Sequence, residues 1–418
     1  MERPLFSRVL SRRRILAGAV ALTATSGLAW GQAATNDFGA WVDAAEAAAL
    51  LAGISQQTIR AAREGLTFNA NLVRPAGAQA ESGRVGPYVT RLVSGDAPLA
   101  RNKRAQFPRI AEIERRLGVP ASVLIAFWGR ESGYGRNMGN LDVFSTLATL
   151  GSARSGSSTN WTGEYLAALQ IVERGSRARA LLRGSSAGAL GHTQLMPTSY
   201  LTYGMDFDGD GRADVWGPSP LDALASAARH IQGAPISGPA IPPTGLAWRR
   251  GGGWIEPVTL TAPLNFDQIE VDVSALTPEQ WASAGVRRSA PGPWREADRG
   301  AAATLALPAG LSGPAFLLLP NYAVFERYNP SRTYALGVGL LARAIDGAPG
   351  VIWPTETVIA LSDRMAAQRA LTTLGFYSGR IDGDFGRGGR SAIRRWQRSQ
   401  RRPADGYITP EVVAALTA

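Results

Sequence analysis

Through roughly the first 235 residues, apolar positions recur three and four apart, the spacing that lines one face of a helix. The pattern predicts helix over 37–66, where "WVDAAEAAALLAGI" is rich in alanine, and again through "PYVTRLVS" (Pro87–Ser94) and "RIAEIERRLGV" (Arg109–Val119). Pro120 opens a further helix, since proline is welcome in a first turn. That helix carries Leu124, Phe127, Trp128 and Glu131 on one stripe, and Gly133 and Gly135 then end it. Segments 161–182 and 219–232 also show the helical period.

Past residue 235 the texture changes. "GAPISGPAIPPTG" has the composition of a loop, and the short β-like stretches "EPVTLTAPL" and "QIEVDVSAL" follow it. Helical spacing returns at 330–345 after "FLLLPNYAVFERYN". Residues 236–316 therefore read as a β-containing insertion within one mostly helical domain, 34–348. "DGAPGVIWPTET" marks a second boundary, with a linker at 349–360, and leaves 361–418 as a small C-terminal domain. The fold class expected is mainly α (α+β).

Composition narrows the chemistry. Hydrophobic residues make up 45% and charged residues 18%, enough apolar material for a packed core. Cysteine is absent, which removes disulfides, thiolate nucleophiles and cysteine-ligated zinc together. His192 and His230 are the two histidines, too few for a three-histidine metal site, and no HExxH spacing supports zinc.

The N-terminus has the pattern of an export signal over 1–33. Arg3 and Arg8 lead to "SRRRIL" and then to the apolar stretch "LAGAVALTATSGLAW". Ser-Arg-Arg-x-Ile-Leu resembles the twin-arginine export signal, with Ala17 where a lysine is frequent; a plain secretory signal with extra arginines is the alternative. Small residues in "WGQAA" offer cleavage near Ala33, and without a cysteine there the product is not a lipoprotein. The expectation is an exported periplasmic protein without a stable membrane span after cleavage. The net charge is +11, of which the five arginines and one glutamate of residues 1–33 account for +4. Residues 361–418 hold ten arginines against five acids, so much of the remaining charge is C-terminal. In an exported protein this suits a polyanionic envelope better than nucleic acid.

Glu131 is the candidate for chemistry. On the apolar side of its helix, burial disfavours the charged carboxylate and raises its pKa, which suits a general acid. A surface glutamate in a last helical turn is the alternative that spacing alone leaves open. "DFDGDGRADVWG" supplies a second constellation: Asp206, Asp208, Asp210, Gly211 and Asp214 fit positions 1, 3, 5, 6 and 9 of an EF-hand loop, with the Arg212 carbonyl at position 7. Position 12 is Gly217 rather than a bidentate acid, so affinity should be reduced. Structural calcium and an Asp-rich loop held by its own hydrogen bonds are both open; no other cofactor is expected.

Four ordered blocks carry a resemblance. "IAFWGRESGYGRNMGNLDVFSTLATLG", "SSAGALGHTQLMPTSY", "DFDGDGRADVWGP" and "LLLPNYAVFERYNPSRTYALGVGLLA" together resemble the membrane-bound lytic transglycosylase B family. The resemblance implies a lysozyme-like helical domain that cleaves peptidoglycan glycan strands. Glu131 would serve first as acid and then as base, and the product would be a 1,6-anhydromuramyl end. By the same matching, Ser185 and Gln194 would line the glycan groove, and Tyr328, Asn329 and Tyr334 would stand near the glutamate, with Tyr88 a further groove tyrosine. Half-buried core is the alternative for the tyrosines, Tyr88 above all. His230 stands where the family often carries a tyrosine.

The C-terminal stretch resembles the peptidoglycan-binding domain type 1 family. Its skeleton is Gln368, Leu371, Leu374-Gly375, Gly379, Ile381-Asp382-Gly383, Gly386, Ala392-Ile393, Trp396-Gln397 and Asp405-Gly406. A three-helix bundle that binds stem peptides or glycan is implied. Gly389 departs from the pattern, standing where a threonine usually caps the second helix. The competing functions are a hydrolytic muramidase using the same glutamate with water, and a non-catalytic wall-binding scaffold.

Overall fold

The computed structural model describes residues 27–73, 85–154, 157–233, 248–329 and 331–418, with side chains from residue 37 onward. Of the expected export signal, 1–33, residues 1–26 lie outside the described residues, as do 234–247. No described helix is long and apolar enough to cross a membrane.

Two helical clusters make up the body. The first gathers α1 (Gly27–Leu51), α2 (Gln56–Arg63), α6 (Val143–Ala153), α7 (Trp161–Glu173) and α8 (Pro197–Tyr203) around Phe144, Leu147, Tyr165 and Leu190. The second gathers α3 (Val85–Gln106), α4 (Ile110–Leu117), α5 (Ala121–Ser132), α9 (Leu221–Gln232), α11 (Tyr322–Tyr328) and α12 (Arg332–Ile345) around Leu124, Phe127, Trp128 and Phe325. Strands β1 (Leu141–Asp142) and β2 (Arg183–Gly184) pair antiparallel just before α6.

Helix ends fall where local chemistry dictates. The helical region expected over 37–66 breaks at Gly53, whose φ of 82° is left-handed, and Ser55 caps α2 by accepting from the Thr58 N–H. The helix expected over 161–182 stops at Glu173, because Gly175 takes φ 69°; only a 3₁₀ turn, Arg179–Leu181, follows.

The insertion is a five-stranded antiparallel sheet: β3 (Ile255–Leu260), β4 (Ala275–Leu276), β5 (Val286–Arg288), β6 (Ala303–Ala306) and β7 (Ala315–Leu318), in the order β4-β6-β7-β3-β5. α10 (Pro278–Ser283) packs Trp281 under the sheet, beside Leu305 and Leu317. The sheet runs to Leu318, two residues past the expected boundary, because Ile255 pairs with Leu318 before the chain turns into α11. "QIEVDVSAL" is mostly turn: only Ala275 and Leu276 join the ladder, while Ile269 and Val271 point into the core.

The C-terminal domain is the expected three-helix bundle, α13 (Leu361–Thr373), α14 (Arg387–Ser399) and α15 (Pro410–Thr417), around Leu371, Ile393, Trp396 and Leu416. Two glutamines explain its skeleton. The Gln368 side-chain Oε1 accepts the Asp382 and Gly383 N–H groups, and the Gln397 Oε1 accepts that of Gly406, so each helix holds an Asp-Gly turn. Gly389 is not a cap: Gly386 holds the N-cap position and Gly389 is the third helical residue, 3.0 Å from Phe385 at the place a Cβ would take.

The bundle does not hang free. Arg398 donates to the Phe266 carbonyl at 2.8 Å, the Leu311 N–H to Asp405 at 3.1 Å, and Arg387 to Glu326 at 3.3 Å. Trp353 of the linker lies against Phe316 and so close to Gly86 that a Cβ there would come within 3.0 Å.

Candidate active site

α5 is not the one-sided helix that its spacing predicts. From Ala121 through Trp128 it is buried on all faces, so Phe127 and Trp128 anchor it in different directions. Phe127 stacks on Phe325 with ring centroids 5.2 Å apart and meets Tyr328 at 4.4 Å. Trp128 packs edge-on to Phe107, Tyr134 and His192. Glu131 follows in the last turn, half-buried, and Gly133 closes the helix at φ 58° with its N–H on the Gly129 carbonyl.

The carboxyl of Glu131 is raised above its ordinary value by burial, against the opposing pull of the Tyr334 hydroxyl and of Arg130. The Tyr334 hydroxyl donates to Glu131 Oε1. Tyr334 stands in the first turn of α12, which Ser331 caps by accepting the Tyr334 N–H at 3.2 Å. Asn329 does not reach the acid directly; its Oδ1 accepts the Ser331 N–H at 2.9 Å and so fixes that cap. The Arg130 guanidinium lies 5.9 Å from the Tyr334 ring centroid.

Tyr328 faces the same acid electrostatically and is raised well above the usual phenol range, by burial first and Glu131 second. Its hydroxyl donates to the Thr193 carbonyl at 2.7 Å, so the contact holds the turn that carries Gln194. Gln194 sits at φ 51°, a left-handed conformation uncommon outside glycine, and its amide donates to the carbonyls of Gly191 at 2.8 Å and Met138 at 3.1 Å. Tyr134, at φ 63°, is a second such residue beside the same helix end. Gln194, His230, Arg327 and Tyr328 line one hollow of about 190 Å³.

Ser185 and Tyr88 have a more local role. The Ser185 hydroxyl accepts the Ala189 N–H at 3.2 Å, shaping its own turn, against which Gly139 packs with no room for a Cβ. Tyr88 lies on α12 at Gly337, where a Cβ would stand 2.9 Å from its ring.

Sequence reasoning missed the framework beneath the acid. Trp128 Nε1 donates to His192 Nδ1 at 3.0 Å, and His192 Nε2 donates to the Gly217 carbonyl at 2.7 Å. These partners fix a neutral tautomer, and burial holds His192 below its ordinary value. Ser132 donates to the His192 carbonyl at 2.7 Å. Asp96 of α3 was missed too; burial raises its carboxyl, while Arg130 and Arg136 pull the other way. In sequence these residues read as filler, because each acts through partners far along the chain.

The Asp-rich loop ends in that framework. Asp206 accepts the Gly209 and Gly211 N–H groups, and Asp210 accepts that of Arg212 at 2.9 Å. Asp214 turns its Oδ1 to the Trp216 and Gly217 N–H groups, 3.0 Å away in each case, and is not among the carboxylates that converge. Those are Asp206, Asp208, Asp210 and Asp222, with oxygens within 4.8 Å of one another. Asp222, in the first turn of α9, is 3% exposed. Hard oxygen donors brought together, one of them buried, fit a calcium ion better than zinc or copper.

The comparisons with known proteins agree with this architecture. Residues 361–416 match the family described as putative peptidoglycan binding domain. Membrane-bound lytic murein transglycosylase B of Escherichia coli is 29% identical over 240 residues, taking in 54% of this chain and 57% of that protein. The match thus spans little more than half of that curated relative. Crystal structures of SltB3 from Pseudomonas aeruginosa, in complex with NAG-anhNAM-pentapeptide and with NAG-NAM-pentapeptide, superpose with a TM-score of 0.78 at 36% identity, over 91% of this chain and 99% of those. Escherichia coli Slt35, solved in complex with calcium, shares the fold at 24% identity, with a TM-score of 0.58 over 74% of this chain and 92% of that one. From residue 37 to residue 343 the chain matches the family described as transglycosylase SLT domain, and to that family it belongs.

Proposed function

We propose that the protein is an exported lytic transglycosylase that cleaves the β-1,4 bond between N-acetylmuramic acid and N-acetylglucosamine in peptidoglycan. The observation that carries this reading is the half-buried Glu131, its carboxyl raised by burial and one oxygen held by the Tyr334 hydroxyl. Protonated, Glu131 donates its proton to the glycosidic oxygen as the bond from that oxygen to the muramic anomeric carbon breaks. Now ionised, it takes the proton of the C6 hydroxyl of the same sugar, whose oxygen closes on the anomeric carbon. The proton returns to Glu131, the product is a 1,6-anhydro ring, and no water is consumed. A glycosidase of the usual type would need a second positioned carboxylate. The Tyr334 donation suits the second half of the cycle, because it favours the ionised acid. SltB3, crystallised with an anhydro-sugar peptide, lends further support.

The partner is peptidoglycan, gripped also by the bundle at 361–418, and the location is the periplasm, in keeping with the arginine-rich, apolar N-terminus. Asp206, Asp208, Asp210 and Asp222 would hold a structural calcium ion, with the Arg212 carbonyl as a further donor. Its place would be structural, because the loop reaches α5 through Gly217, His192 and Trp128.

Mass spectrometry of muropeptides released from purified sacculi tests the reading. Wild type should release anhydromuropeptides, and Glu131→Gln should release none while still binding sacculi. Free reducing ends in place of anhydro ends would make the protein a hydrolase. No release by wild type would leave a wall-binding scaffold.

A further inference from the structure

The feature that the reaction does not account for is Asp272, in the insertion between β3 and β4. It stands at φ 66°, strained for a residue other than glycine. Its side chain is 7% exposed, and three arginines close on it. Oδ1 accepts Arg332 Nη2 at 2.5 Å, while Oδ2 accepts Arg394 Nη1 at 2.9 Å and Arg390 Nε at 3.5 Å. Burial alone would raise this carboxyl; the arginines override it and hold it at about 2.

The three arginines belong to two parts of the molecule. Arg390 and Arg394 are one turn apart on α14 of the C-terminal bundle, and both are buried. Arg332 is the first residue of α12, two positions before Tyr334. A cation at a helix N-terminus opposes the helix dipole, so the first turn of α12 needs a compensating anion, and Asp272 supplies it. The contacts therefore run from the bundle through Asp272 to Arg332, two residues along the first turn of α12 to Tyr334, and from its hydroxyl to Glu131.

We propose that Asp272 is a positioning residue for Glu131: its clamp on Arg332 fixes the first turn of α12, and with it the Tyr334 hydroxyl on the acid, and the bundle's arginines complete the clamp. The proposal rests on the role given to Glu131 above. Among the described residues, the groups that face Glu131 are Tyr334 from α12, Tyr328 from α11 and Arg130 from α5 itself.

The test is the titration of Glu131 in the full-length protein, read by ¹³C NMR of glutamate-labelled samples and assigned with Glu131→Gln. Asp272→Asn removes a negative charge, which through space alone would lower the Glu131 midpoint. Acting through Tyr334 it must do the opposite. Loss of the hydroxyl donor raises the midpoint, by the amount that Tyr334→Phe raises it, and the double variant rises no further. A fall, no change, or additive effects overturn the proposal.

Asp272→Asn leaves the buried Arg390 and Arg394 and the half-buried Arg332 short of an anion, and the variant could fail to fold. Arg332→Met then takes its place. It should raise the midpoint in the wild-type background and not in Tyr334→Phe; a rise of equal size in both overturns the clamp. On sacculi, Asp272→Asn should lower kcat about tenfold with KM unchanged. The titration does not depend on turnover, so a wild type that releases no anhydro product would sink the enzymatic reading while the clamp was judged on its own data.

Discussion

His230 shows what single residues do around the acid. It stands against Tyr203 at 4.9 Å and Tyr328 at 5.9 Å, and among the described residues its buried Nδ1 has no hydrogen-bond partner. Burial first, and Arg327 second, bring it down to about 4. The unfolded chain takes up this proton near 6.5, the folded one only near 4, so stability is lost as the pH falls between those values. The loss is on the order of 3 kcal/mol. His230→Phe should abolish it, and calorimetric melting temperatures from pH 7 to pH 4 should fall less steeply than in wild type. Parallel curves would mean that the ring is not held neutral. The position was legible in the sequence as a departure from the family pattern, but not its physics, since the charge state follows from partners on α8 and α11.

At the scale of elements, spacing located helices well and their faces poorly. α5 was visible from Pro120 and from the glycines after Ser132, yet its apolar stripe is no stripe at all, because the helix is enclosed on every side. Periodicity cannot tell a buried helix from an amphipathic one when the polar positions are few. The Asp-rich loop shows the same limit. Asp206, Asp208 and Asp210 follow from their spacing, whereas Asp222 lies beyond the loop and Asp214 turns away to hold Gly217. Gly191 was equally silent, although its φ of 66° lets it approach the Val215 carbonyl where a Cβ would meet oxygen at 2.2 Å. If calcium occupies the four carboxylates, a chelator should lower the melting temperature of the whole chain. At a hundredfold excess over its Kd, calcium should restore about 2.7 kcal/mol. Asp222→Asn should remove most of that increment, and a melting temperature indifferent to chelation would discount the ion.

The whole molecule is more tightly joined than a catalytic body with a tethered domain. The composition shift near residue 350 was legible, but the ion cluster that welds the bundle to the insertion was not, because Asp272 reads as one acid in an unremarkable turn. Deleting 358–418 should weaken sacculus binding while retaining some cleavage. It should also lower the melting temperature of the remainder, since Asp272 would lose Arg390 and Arg394 and keep Arg332 alone. A truncated protein that melts at the wild-type temperature would show that the docking contributes little. The module's resemblance implied wall binding; docked as it is, it also bears on the first turn of α12, which carries Tyr334.

Trp353, wedged between Gly86 and Phe316, gives the linker a mechanical meaning. A slack tether would let the gripping end drift while the cutting end searched a sphere of neighbouring strands. Pinned at its middle by Phe316 and Gly86, this connection has no slack, so the bundle keeps one fixed offset from the helix that carries Glu131.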